Sequence, residues 1–449
     1  MLDIKFIREH VDEVRQAAID KHIACCLDEL IEIDQQRRTI QQQLDGLRRE
    51  QNETGPKIAL YRNPKSKFYQ QAVATGQTPQ ALAAEAQQLV EQMSTIKTRI
   101  KQLEDEDRQI QQRFDQLMLT VPQPADPGVP VGETDADNVE VRRVGEQPNF
   151  AFEPKDHVQL ATALGMLDIE RGVKLAGTRN YVLRGPGVQL HHAVLRLALD
   201  MMIERGFEPL HVPVLVRDAM MYGTGYYPGG EEQAYRCERD ELSLVGTAEV
   251  SLTAYHCDEI LDEGALPRKY AALSPCFRRE AGAAGKDTYG LYRIHIFDKV
   301  EQVIVCRDDR QVSIEHHEEI LANAEAVMHK LELPYRVVNV CTGDLGIGQV
   351  QKFDIETWMP SRKAYGETHS ASRFYEFQAR RLNLRYRDGQ RKVRFCHTLN
   401  NTVIASPRIL IPLIEIHQQA DGSVRIPQAL RTYMGGLERI EPTRSAGGG

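Results

Sequence analysis

Residues 276–301 read CFRREAGAAGKDTYGLYRIHIFDKVE. Arg278, Arg279 and Glu280 come in a row. A run of small residues then carries Lys286 and Asp287, and Arg293, His295 and Phe297 alternate. Arginine suits phosphate recognition, because it stays charged and makes forked bonds to two oxygens. Phe297 offers a face for stacking, and Glu280 and Glu301 can accept from amino groups or help hold a cation. On composition alone the stretch reads equally well as a solvated hairpin with scattered ion pairs. Any phosphate site here must take its positive charge from side chains. The chain has no G-x-x-x-x-G-K-[ST] loop and no strand-bound G-x-G-x-x-G.

The totals set bounds on the rest. The chain has 449 residues, 41% hydrophobic and 27% charged, an ordinary globular composition with room for two or three domains. No apolar run approaches a membrane span, and the start, MLDIKFIREHVDEV, lacks a signal-peptide core. A cytoplasmic protein without membrane contact is expected. The eight cysteines show no C-x-x-C spacing, so reduced, packed thiols are expected and no zinc site. The net charge of −8 argues against a simple nucleic-acid binder, but the charge is unevenly spread.

Residues 80–118 carry the cleanest periodicity. Leu82, Ala86, Leu89, Met93, Ile96, Ile100, Leu103, Asp107, Ile110, Phe114 and Leu117 step by four and three, the stripe of a long helix with one narrow buried seam. Leu30, Ile33, Arg37, Ile40, Leu44 and Leu47 form a partner stripe, and a break with Gly55, Pro56, Pro64, Gly76 and Pro79 lies between. The pattern predicts an antiparallel two-helix coiled-coil hairpin over about 27–118, within an N-terminal domain of residues 1–120. Residues 35–101 hold eleven Lys/Arg against five Asp/Glu, whereas 1–34 hold four against nine and 102–120 two against five. The basic excess, with Arg48, Arg49, Lys57, Arg62, Lys65 and Lys67, therefore sits toward the far end of the hairpin. A solvated helix surface explains most charge runs, but an acidic base and a basic tip suit a phosphate backbone.

Residues 121–137, VPQPADPGVPVGETDAD, read as a proline-rich linker. From 138 to 449, helical stretches mix with short β-branched runs and no regular βαβ alternation. An α+β domain with a mostly antiparallel sheet flanked by helices is expected. A helix is predicted from about Val188 to Arg205, then a strand carrying Pro213. KVEQVIVC (299–306), YRVVNVC (335–341) and KVRFCHTL (392–399) supply further strands.

The order of residues is more specific than their composition. CFRREAG…GLYRIHIFDKVE resembles the second signature motif of class II aminoacyl-tRNA synthetases, and most narrowly that of the seryl-tRNA synthetase family. GVQLHHAVLRLALDMMIERGFEPLHVPVLV resembles the first signature, the family's dimer-interface segment. MYGTGYYP…VGTAEVSLTAYH resembles the Thr-x-Glu segment, and GETHSASRFYEFQARR with HTLNNTVIASPRIL resembles the last blocks, ending at Arg408. The resemblance spans essentially the whole chain, arm included.

The resemblance implies a class II catalytic domain that activates L-serine with ATP to seryl-adenylate and passes the seryl group to tRNA(Ser). tRNA(Sec) is left open as a second acceptor. A homodimer and Mg²⁺ are implied with it. By the same resemblance Arg278 grips the α-phosphate and the serine carboxylate, Glu280 meets the adenine amino group, and Phe297 stacks on adenine. Arg408 lies near the opposite face and the γ-phosphate, and Arg293 approaches the outer phosphates. Glu367 and Ser370 belong to the Mg²⁺ site. Thr247, Glu249, Glu301, Asn400 and Thr402 surround serine. The basic tip holds tRNA.

Two departures stand out. NNTVIASPR (400–408) has Asn401, Val403 and Pro407 where the family commonly has glycines, and Gly366 stands where an arginine is usual. Two other readings are consistent with parts of the pattern. One is a paralogue that activates an amino acid for a non-tRNA acceptor, against which the basic-tipped arm argues. The other is a non-catalytic RNA-binding relative, against which Arg278, Glu301, Glu367 and Arg408 argue.

Overall fold

A computed structural model describes residues 1–282 and 289–442. By packing, the chain forms two compact units: Ala24–Val121, and Met1–Ile23 together with the residues from Pro122 onward.

The first unit is the helical hairpin. Helix α1 spans Leu27–Arg62 and α2 spans Pro79–Leu119, with a short helix, Lys67–Ala74, between them. Thr78 caps α2 by accepting from Ala81 N at 3.2 Å, and Pro79 takes the first helical position, where its missing N–H costs nothing. The predicted seam is buried: Ile40 and Leu44 of α1 pack with Ile96, Ile100 and Leu103 of α2. Arg37, the charged member of its stripe, lays its guanidinium 3.8 Å from the centre of the Phe114 ring. Pairs such as Arg48–Glu104 at 2.9 Å cross the hairpin and fix it as antiparallel. Exposed pairs contribute about 0–1 kcal/mol each, whereas each fully buried seam leucine contributes about 1.5–3 kcal/mol, so the seam holds the arm together.

The hairpin differs from expectation in one respect. The break was expected from Gly55 and Pro56 onward, yet α1 runs through both to Arg62. The seam continues past them, with Thr54 buried and Gly55 backing onto Met93. Continued packing outweighs the one backbone bond that Pro56 removes.

The second unit is built on an eight-stranded sheet. In chain order its strands are β1 (Val139–Val144), β2 (Glu208–Pro209), β3 (Arg268–Phe277), β4 (Ile296–Cys306), β5 (Tyr335–Asn339), β6 (Gln351–Met359), β7 (Ala364–Tyr375) and β8 (His397–Ser406). Their order across the sheet is β1-β5-β6-β7-β8-β4-β3-β2. Every pair is antiparallel except β2 with β3. The α+β expectation is met.

Strand β4 shows how the sheet separates core from cleft. Successive side chains of a strand point to opposite faces. Val300 and Ile304 face the core built with helices α3 (Pro186–Glu204) and α4 (Arg310–Leu331), where Leu190, Val194, Ile320 and Val327 meet them. Phe297, Lys299 and Glu301 alternate with them and belong to the other face, which continues as Val303 and Val305.

Two local expectations need correction. The strand expected around Pro213 is two short pieces, β2 and Leu215–Arg217, with Pro213 outside both. Proline has no N–H to give a ladder. The segment 121–137 is no free linker in its first half: Gln123 N and Asp126 N donate to the carbonyls of Ile347 and Val350 at 2.9 and 2.8 Å. The Asp126 carboxylate also accepts from Tyr375 OH at 2.6 Å and from Arg373. No helix among the described residues is long and apolar enough to cross a membrane.

Candidate active site

A cleft of about 770 Å³, counted out to its open mouth, lies on the sheet face opposite α3 and α4. Arg278, Glu280, Phe297, Glu367, Ser370 and Arg408 all line it, as do Glu249, Asn400 and Thr402. Thr247 and Glu301 are buried, 1% and 0% exposed, and join the group by hydrogen bonds. Arg293 lines an adjoining cavity that shares Arg278 and Glu280.

Two slips of strand register assemble this face. Glu367 and Ser370 are three apart and would fall on opposite faces of a regular strand. The β6–β7 pairing passes from Ile355↔His369 to Glu356↔Glu367, leaving Thr368 over as a bulge, and both residues face the cleft. The β4–β8 pairing likewise passes from Val300↔Ile404 to Glu301↔Thr402, leaving Val403 over. Thr402 and Ala405 therefore both line the cleft.

Arg278, Arg293 and Arg408 all act on Glu367 and make up the cationic part of the site. Arg278 follows the end of β3. Its Nε donates to the Gly246 carbonyl at 3.3 Å, and its guanidinium lies 5.1 Å from the Phe297 ring centre. His295, for which the sequence suggests no role, anchors its backbone: Nδ1 lies 3.0 Å from the Arg278 carbonyl. Glu280 has a left-handed backbone, φ 51°, held in part by Arg179, which donates to its carbonyl at 2.8 Å. Arg293 pairs with the Glu280 carboxylate at 3.2 Å. Arg408 donates to the carbonyls of Tyr292 and Glu367 at 3.1 and 3.2 Å and stacks on the Tyr292 ring. Burial alone would raise the Glu367 pKa, but Arg408, Lys352, Arg278 and Arg293 outweigh it and hold the carboxyl below its usual range. Glu367 is therefore an anion at neutral pH, as a cation ligand must be.

At the floor lies a dense polar network. Asn400 Nδ2 bridges two carboxylates, donating to Glu249 at 2.9 Å and Glu301 at 3.0 Å. Glu249 also accepts from Tyr226 OH at 2.8 Å and Gln378 Nε2 at 2.9 Å. Thr402 donates to Glu301 at 3.3 Å. Thr247 accepts from the backbone N–H of Glu249 at 3.1 Å and from Lys299 at 2.7 Å. Burial and the neighbouring Glu301 push the Glu249 carboxyl up to about 7. Asn400 Oδ1 is buried without a hydrogen-bond partner, an acceptor placed to take a ligand's donor.

Lys299 was missed from the sequence. Its signal is the spacing: it sits two residues from both Phe297 and Glu301 on one strand face. The departures also acquire contacts. Asn401 ties Ser370 and Gln302 together, donating to the Ser370 carbonyl at 2.8 Å and accepting from Gln302 at 2.6 Å. A side chain at Gly366 would meet Tyr292 OH and Met359 at 3.1 Å, and Arg362 brings its guanidinium to 4.2 Å from the same Tyr292 ring. The six basic arm residues are all exposed, with Arg48 engaged by Glu104. The run of small residues that carries Lys286 and Asp287 lies outside the described residues over 283–288.

Comparison with known proteins completes this geometry. Residues 1–124 match the family model of the seryl-tRNA synthetase N-terminal domain. Residues 235–417 match the class II tRNA synthetase core domain of the G, H, P, S and T enzymes. The serine–tRNA ligase of Deinococcus radiodurans is 44% identical over 99% of this chain and all of its own length. That of Rubrobacter xylanophilus is 42% identical over the same share of both chains. The chain belongs to the serine–tRNA ligase family. With the family goes the enzyme class, a ligase on the class II aminoacyl-tRNA synthetase core. Among solved structures, seryl-tRNA synthetase from Pyrococcus horikoshii complexed with ATP superposes with a TM-score of 0.87 at 38% identity, covering 99% of this chain and all of that one. The cytoplasmic serine–tRNA ligase of Naegleria fowleri in complex with AMP gives 0.83 at 30%, covering 99% of both. With relatives of that name matched from end to end, neither the paralogue nor the non-catalytic reading is favoured.

Proposed function

We propose that this chain activates L-serine with ATP in the cleft and transfers the seryl group to tRNA(Ser) held by the arm. The observation that carries the reading is the division of the cleft into two ends. One end gathers Arg278, Arg408 and Phe297, which suit a nucleotide's phosphates and base. The other is a buried carboxylate and amide network with an unfilled acceptor, which suits a small ammonium compound with a hydroxyl.

In the first step a serine carboxylate oxygen bonds to the α-phosphorus, and the bond from that phosphorus to the bridging oxygen breaks, releasing pyrophosphate. Arg278 holds the two approaching anions together and offsets the charge that builds between them. Phe297 and Glu280 position the adenine, and Arg408 and Arg293 the outer phosphates. Mg²⁺ fits beside Glu367 and Ser370, where it would neutralise phosphate charge. Glu367, held as a carboxylate by the surrounding cations, is the kind of single carboxylate that such an ion takes alongside substrate phosphates. In the second step a terminal ribose hydroxyl of tRNA attacks the seryl carbonyl and AMP leaves.

Glu301, Glu249, Thr247, Thr402 and Asn400 select serine, because an analogue without the hydroxyl leaves buried groups unpaired. Val188 and Ile203, apolar and exposed on α3, support a homodimer built on that helix. The test is serine-dependent exchange of pyrophosphate into ATP, followed by charging of bulk tRNA. No exchange would refute the reading; exchange without charging would favour another acceptor.

Glu249 gives the reaction a pH dependence. Its carboxyl takes up a proton as pH falls through about 7, and the neutral form attracts an ammonium less. The kcat/KM for serine is expected to fall roughly tenfold per pH unit below that point. Glu249→Gln should be poor throughout and lack this limb. An unchanged limb in that variant would count against Glu249 as the titrating group.

A further inference from the structure

Lys299 stands among the residues proposed to hold serine, so any role for it rests on that reading of the pocket. Its ammonium lies 2.6 Å from Glu301 Oε2. It donates to Thr247 Oγ1 at 2.7 Å and to Thr402 Oγ1 at 3.4 Å. All three of its donors are thus spent on groups expected to meet the amino acid. Lys299 is 5% exposed and Glu301 0%, so water screens little of this pairing. The other titratable and charged groups acting on this cluster are Glu249, Tyr226, Arg278 and Cys276. Arg278 is the only other certain cation of that set, and the proposed reaction commits it to the substrate's own anions.

We propose that Lys299 is a positioning residue for serine: it fixes the Glu301 carboxylate by a buried ion pair and offsets one of the pocket's two carboxylate charges. Once Glu249 is ionised, Glu249 and Glu301 against one ammonium leave a single negative charge, which one substrate ammonium neutralises. The substrate carboxylate is turned to Arg278. Without Lys299, two buried carboxylates bridged by Asn400 face each other. Such a pair does not ionise fully and retains a proton. That proton competes with the substrate's cation. Lys299 also orients Thr247 and Thr402 by using their oxygens as acceptors, which leaves each hydroxyl hydrogen to point elsewhere, as Thr402 does to Glu301.

A merely structural ion pair predicts something different: its loss would disturb ATP and serine use alike. The experiment measures pyrophosphate exchange between about pH 5 and 9 for wild type, Lys299→Met, Lys299→Arg and the double variant Lys299→Met/Glu301→Gln, with ATP binding by calorimetry as the check on folding. Lys299→Met is expected to raise the KM for serine about 100-fold, the scale of losing one partner of a buried pair, with the KM for ATP within about twofold. Its acid limb in kcat/KM for serine should move up by about one pH unit or more. Lys299→Arg should keep the limb in place, because the charge is kept. The double variant again has one net negative charge, so its limb should return toward wild type although serine binding stays weak.

Equal rises in the two KM values overturn the proposal, as does an unmoved limb in Lys299→Met or a double variant that behaves like the single one. If Lys299→Met fails to bind ATP, the double variant decides: restored ATP binding supports charge balance, and continued failure overturns it. Wild type that lacks serine-dependent exchange would instead sink the reading of the pocket itself.

Discussion

Arg278→Ala is expected to lower serine-dependent pyrophosphate exchange by about 1000-fold or more while leaving the protein folded. The magnitude is that of removing a preorganised cation from a site where phosphate charge develops. Arg278 is well suited to it. Its backbone is pinned by His295, its Nε by the Gly246 carbonyl, and its guanidinium rests beside Phe297, so little reorganisation is needed when anions arrive. Arg279 is the internal control. It is the next residue, carries the same charge and is exposed. Arg279→Ala should change exchange by no more than about twofold, because a screened surface charge contributes little. Exchange rates of the two variants, with thermal melts beside them, check this. Comparable losses in the two would show that local charge, and not the placed guanidinium, matters.

Removing the arm should separate the two half-reactions. Replacing Ala24–Val121 by a short flexible linker is expected to leave exchange within about threefold and to cut tRNA charging by a factor of about 100 or more. The cut is made at the packing boundary. Two antiparallel helices packed side by side bring the ends of the excised piece to roughly 10 Å apart, a gap that a few residues span. Residues 1–23 are retained because they pack with the larger unit: Lys21 donates to the carbonyls of Gly346 and Gln349 at 3.2 and 2.6 Å, and Arg380 pairs with Asp3 at 3.3 Å. Charging by the intact chain should weaken steeply with salt, as phosphate contacts do, and exchange should not. Loss of exchange equal to the loss of charging would contradict the division of labour.

Much of this was legible in the residues. The heptad stripe from Leu82 to Leu117 dictates a long helix with a partner, because only one narrow face is apolar and it must be covered. The runs 299–306 and 335–341 dictate strands, because β-branched residues at these spacings fit a pleated surface. The ordered signatures placed Arg278, Glu280, Phe297, Glu367 and Arg408, and the structure gathers all five into one cleft. What the residues left open has physical causes. Pro56 and Gly55 read as a break because propensity is local, whereas the seam that carries the helix past them is a tertiary contact with α2. Lys299 went unread because a lone lysine beside a glutamate has no distinctive signature until burial shows that its charge must be paired.

The sequence by itself determined the architecture in outline: a helical arm, a mostly antiparallel sheet, and the identities of the charged and aromatic groups. Periodicity and local chemistry are properties of neighbouring residues, and they survive in the written chain. Only the tertiary structure decided which of those groups share a face. Glu367 with Ser370, and Thr402 with Ala405, are three apart, and period-two alternation would separate them. The register slips at Thr368 and Val403 bring each pair to the cleft, and a slip depends on how two distant strands pair. The tertiary structure also turned Glu301 from a plain strand acid into a buried side chain paired with Lys299, because burial is set by everything that packs around a residue.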